Sequence, residues 1–148
     1  MTETGWPAAR AALTALLEGV DGIDQAMFGF PATGAALVEG TSAVIVPPAR
    51  YGEREGTTTE WTYAVPIHLV RLLGSDSQAG AALLDGVAER VMAALETSVL
   101  LGGSVAATDP PAFDDASIME YPPESGVWFS AQTATLQVVF VVDYARGA

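Results

Sequence analysis

From Thr58 to Val70 the chain reads TTEWTYAVPIHLV, which is a strict period of two. Trp61, Tyr63, Val65, Ile67 and Leu69 fall on one side, and Thr62, Ala64, Pro66, His68 and Val70 on the other. Successive side chains of a strand point to opposite faces, so this run specifies a strand with a large apolar pairing face. The rest of the chain has to supply partners for that strand and a cover for that face.

A cover follows at once. The stretch SDSQAGAALLDGVAERVMAALETSVLLGG opens with Ser75 and Gln78 at capping-box spacing, continues through Leu83, Leu84, Val87, Val91 and Leu95, and stops at Gly102. That is a long amphipathic helix. A second helix is written near the start, where Leu13, Leu16, Leu17 and Val20 recur at helical spacing behind Pro7, with an end near Gly19 or Gly22.

The partner strands are SAVIVPP, which must leave its ladder at Pro47 and Pro48, the short SIMEY, and the long VWFSAQTATLQVVFVVDY. Between them, IDQAMFGFPATGAALVEG reads as a connection with Met27, Phe28 and Phe30 as core plugs, TDPPAFDD as a loop, and PPESG as a turn. Residues 49–57, ARYGEREGT, read as a link longer than a tight hairpin needs, with a charged tip. The order helix, strands, helix, strands predicts one α+β domain over residues 1–148: a mainly antiparallel sheet packed on one long helix, with an N-terminal helix and an extended β-hairpin loop.

Charge removes several function classes. The net charge is −12, with six arginines, no lysine and eighteen carboxylates, so no basic face can neutralise a run of phosphates. Half of the residues are hydrophobic, which sets the chain apart from disordered acidic ones. Without cysteine, thiolate catalysis, disulfides and Cys-based metal sites are excluded. Without lysine there is no P-loop, and no Gly-x-Gly-x-x-Gly follows a strand. The opening MTETGWPAAR does not read as a secretory signal, and Asp85, Glu89, Arg90 and Glu96 interrupt the longest apolar helix, so no membrane partner is expected.

Little remains for chemistry. His68 is the single histidine and has no neighbouring His or Cys for a metal site, so it reads as a structural or interface residue. Asp109, Asp114 and Asp115 read as a solvated acidic loop. Trp6, Trp61 and Trp128 read as core or interface fillers. No catalytic residue, cofactor or metal is expected. Arg50, Glu53, Arg54 and Glu55 form a mixed-sign cluster that suits either a solvated hairpin tip or a docking surface. A small enzyme or ligand-binding domain would need Asp85, Glu89 or His68 to line one apolar pocket.

The order of elements, with the extended charged hairpin SAVIVPPARYGEREGTTTEWTYAVPIHLVRLL ahead of a long helix and terminal strands, resembles the tail-terminator family of long non-contractile bacteriophage tails and its related minor tail and tail-completion proteins. The resemblance covers Trp6 to Tyr144 and rests on element order and size. It implies a virion protein, assembled in the host cytoplasm, that forms a six-membered ring at the head-proximal end of the tail. Such a ring stops tube polymerisation and meets the tail tube protein on one side and a head-completion or connector protein on the other. A neighbouring stopper or adaptor would share these properties. DNA would pass through the lumen without specific binding, since an acidic wall repels a duplex carrying one charge per about 1.7 Å. The interface residues it implies are Arg50, Tyr51, Glu53, Arg54, Glu55, Glu60, Trp61 and His68.

Overall fold

The computed structural model describes residues 5–29, 40–72, 77–97, 101, 107–109, 113–114, 117–120, 124 and 128–143. Its organising strand is the alternating one. This strand, β4, spans Thr58–Leu72 and follows α1 (Trp6–Glu18), β1 (Gln25–Phe28), β2 (Thr41–Ile45) and β3 (Ala49–Glu55). After it come α2 (Ser77–Thr97), β5 (Ala107–Asp109), β6 (Ser117–Glu120) and β7 (Trp128–Asp143). The two long strands pair antiparallel from Thr58 opposite Asp143 to Leu72 opposite Phe129.

On the outer edge of β4, two short strands share one line. β2 pairs with the C-terminal half, Ile45 opposite Ile67, and β3 with the N-terminal half, Ala49 opposite Ala64. Pro47 and Pro48 divide them, because neither can donate to the ladder. The break also explains a proline within β4. The Val46 N–H donates to the Pro66 carbonyl at 2.9 Å. In an antiparallel pair one residue's N–H and C=O face the same neighbour, so the amide that Pro66 lacks is directed at the interruption and costs β7 nothing. On the far side β5 and β6 pair antiparallel with separate parts of β7, while β1 joins β2 in parallel. Among the described residues the result is an α+β fold with a mixed, mostly antiparallel sheet of seven strands and two helices.

The core joins both helices to one sheet face. Ala9, Leu13 and Leu17 of α1 and Leu84, Val87, Val91 and Leu95 of α2 cluster with Val65, Ile67, Leu69, Leu136 and Val138. Each fully buried Leu, Ile or Val of this layer contributes about 1.5–3 kcal/mol of transfer free energy. The expected cover of one long helix is therefore shared by two. Arg90 ties α2 to the turn after α1, its Nε donating to the Asp21 carbonyl at 2.7 Å. On the other sheet face a smaller cluster forms from Val44, Val70, Phe129 and Ala131, with Met27 against it.

Three expectations change. The segment expected to be a connection contains β1; Met27 does pack, but Phe28 is 40% exposed against Trp6, and Phe30 lies outside the described residues. The expected link 49–57 is strand β3 closed by a two-residue turn. Its own backbone pairing with β4 supplies the order that its composition conceals. Thr108 and Asp109, expected in a loop, belong to β5, where Asp109 is paired opposite Gln137. Helix α1 ends at Glu18 with Gly19 as its cap. Ser75, Gly102, Asp115 and most of the expected turn at 122–126 lie outside the described residues.

Candidate docking arm

The β3–β4 hairpin closes at Gly56 and Thr57, with Glu55 paired opposite Thr58. Gly56 has φ +61 at the first loop position, where a type II′ turn needs a positive value. All seven residues of β3 are exposed. A strand exposed on both sides cannot show apolar alternation, but this one alternates in charge. By register Arg50, Gly52 and Arg54 share the helix-side face with Thr59, Trp61 and Tyr63. Tyr51, Glu53 and Glu55 share the opposite face with Thr58, Glu60 and Thr62.

The helix-side face is aromatic and cationic. Arg50 lies over the Tyr63 ring at 4.9 Å, Tyr63 meets Phe140 edge-on at 4.9 Å and Trp6 at 5.6 Å, Trp6 meets Phe28 at 6.2 Å, and Arg10 covers Phe28 at 4.7 Å. Such cation–π and ring contacts contribute about 0.5–1.5 kcal/mol each beyond area burial. A side chain at position 52 would meet the Trp61 ring, since a Cβ there falls 2.9 to 3.1 Å from three of its carbons. Glycine is thus required for the indole to lie across β3. Gly52, Arg54, Thr59 and Trp61 line an open groove on this side.

The opposite face is acidic. Glu53 is paired directly opposite Glu60, and like charges so placed destabilise a sheet by a few tenths of a kcal/mol to about 1 kcal/mol. Glu53, Glu55, Thr58, Glu60 and Val141 line one crevice there, which Arg54 also reaches; Tyr51, Asp109, Gln137 and Val139 extend the acidic face through a second. Tyr51 and Val141 are both more than half exposed. Places where local rules are broken in this way are candidates for functional surfaces.

Seven of the eight expected interface residues therefore meet on one hairpin, while His68 stands apart. It is eight residues along β4 from Glu60, roughly 26 Å at strand rise. Its Nδ1 lies 2.6 Å from Thr133 Oγ1, and burial lowers its pKa below the ordinary 6.5. The carboxylates an enzyme would combine with it are elsewhere. Asp85 accepts from Gln132 Nε2 on the helix side of the sheet, whereas His68, between Val44 and Thr133 in register, is on the other side. Glu89 is exposed on α2. Among the described residues no three His, Asp or Glu groups could hold a metal ion, and no helix is long and apolar enough to cross a membrane. Asp114 donates its backbone N–H to the Thr133 carbonyl. Trp6 is buried, Trp61 is partly buried and Trp128 is 45% exposed.

No protein-family model matches the chain, and neither does any curated protein. Among solved structures it is similar to a chain of the "Virion of native gene transfer agent (GTA) particle", at 15% identity and a TM-score of 0.43, over 87% of this chain and 84% of that one.

Proposed function

We propose that the chain is a structural virion protein of the tail-terminator kind, whose copies form a ring, of six in the family it resembles, that caps the tail tube and offers a joining surface to the head. The observation that carries this reading is the hairpin arm: a fully exposed strand with opposite charge on its two faces, raised on a buried two-helix core. An arm of this kind suits contact with a partner. The element order of the sequence supports the same class. The acidity of the chain suits a conduit for DNA, because a wall of like charge does not retain the duplex.

The test is genetic and visual. Particles assembled without this chain should carry tubes of uncontrolled length with no heads attached, and supplying the chain in trans should restore joined particles of one tail length. Normal particles made in its absence would refute the reading.

A further inference from the structure

We propose that the two faces of the hairpin arm are the two halves of one seam: the cationic face bearing Arg50 and Arg54 of one copy seats against the acidic face bearing Glu53, Glu55 and Glu60 of a second copy of this chain. This rests on the ring-forming reading and names the residues that would close the ring.

Charge complementarity identifies the occupant. In a chain of net charge −12 any approach of two copies is repelled, unless positive charge is concentrated where it can meet negative charge. Of the chain's six arginines, Arg10, Arg50 and Arg54 lie on the helix side of the arm and its aromatic base, Arg54 with its Nε donating to the Gly56 carbonyl of the turn, and Arg146 lies outside the described residues. Arg71 and Arg90 are directed within the chain, to Thr41 Oγ1 and the Asp21 carbonyl. Among the described residues the arm thus gathers arginines on a face that can receive carboxylates, and its reverse side displays the carboxylates. Exposed apolar area accompanies both, Phe28 on the first side, and Tyr51 and Val141 on the second.

The sequence of β3 also argues against a two-fold dimer. Edge-to-edge antiparallel pairing of β3 with itself sets Arg50 opposite Arg54 when centred on Gly52, and Glu53 opposite Glu53 when centred one residue further on. Like charges meet in either register, which is how natural edges resist self-pairing. A contact between unlike faces avoids this and is heterologous, so it propagates in one direction and closes into a ring where the rotation between copies divides a full turn.

The test uses two reversed variants of the full chain, assayed by native mass spectrometry. Glu53→Arg with Glu60→Arg makes both faces positive; Arg50→Glu with Arg54→Glu makes both negative. Each alone should weaken assembly at least about tenfold, as expected for opposed charges across a seam. Mixed one to one, they should recover rings in which the two variants alternate, with even subunit numbers only. Glu53→Gln with Glu60→Gln relieves the pair within the arm, so it should fold at least as well as wild type and still assemble more weakly. Wild-type assembly by any single variant, or folded variants that fail to recover on mixing, would overturn the seam while leaving the ring. A wild-type chain that stays monomeric both alone and with tail tubes added would overturn both.

Discussion

Gly52→Ala is the sharpest probe of the arm. Alanine in a strand is ordinarily favoured over glycine by about 0.5–1 kcal/mol, because glycine loses more backbone freedom on folding. Here the new Cβ falls 2.9, 3.0 and 3.1 Å from three carbons of the Trp61 ring. Carbon contacts are optimal at about 3.5–4.0 Å, so the indole must retreat by roughly half an ångström or more. It packs on one side against the main core and is paired opposite Phe140, so it can retreat only toward the open groove and gives up core contact in doing so. Overpacking of this kind costs about 1–3 kcal/mol, which offsets or exceeds the backbone gain and leaves a net loss of up to about 2.5 kcal/mol. Chemical denaturation followed by far-ultraviolet circular dichroism measures it, and the same method serves when the tryptophan is changed. In a Trp61→Leu background the obstruction is gone, and Gly52→Ala should become neutral or stabilising. An equal loss in both backgrounds would show that the close approach of Gly52 to Trp61 is not what the glycine is for.

Three further outcomes follow from the buried groups. His68, as the single histidine, gives one set of imidazole signals, and NMR titration should place its pKa below 6.5 because burial disfavours the charged ring. The unfolded chain then binds the proton more readily, so this contribution to stability is complete above pH 6.5, is lost as pH falls from there toward the folded value, and disappears from the profile in His68→Gln. Leu136→Ala removes a fully buried side chain between the helices and the sheet and should cost about 2–5 kcal/mol in denaturant unfolding. Asp85→Ala deprives Gln132 Nε2 of its acceptor while the Gln132 side chain stays 3% exposed, and should cost about 1–3 kcal/mol by the same measurement.

The elements with a strong period were legible in the sequence, and those without one were not. β4 alternates through Leu69 because one face is packed, and α1 and α2 show their stripes for the same reason. β1 and β5 are four and three residues long, too short for any period to emerge beside glycines and prolines. β3 escaped because hydrophobic alternation records burial, and nothing in β3 is buried. Its signal was present in another alphabet: Arg50 and Arg54 occupy even positions, Glu53 and Glu55 odd ones, so the period of two was in the sign of the charge. Glu60 and Trp61 were already expected at this site, but their register opposite Glu53 and Gly52 is something a single sequence does not reveal. The Gly52–Trp61 contact was likewise invisible, because it depends on which residues face each other across two strands.

In the proposed assembly, copies of this chain join through unlike faces into a closed ring. Particle imaging of the purified protein, alone at micromolar concentration and after addition of tail tubes, tests it most directly. Annular particles of one size with six-fold symmetry are expected, on the tube end if not free in solution. Isolated monomers under both conditions, or a discrete two-fold dimer, would contradict it.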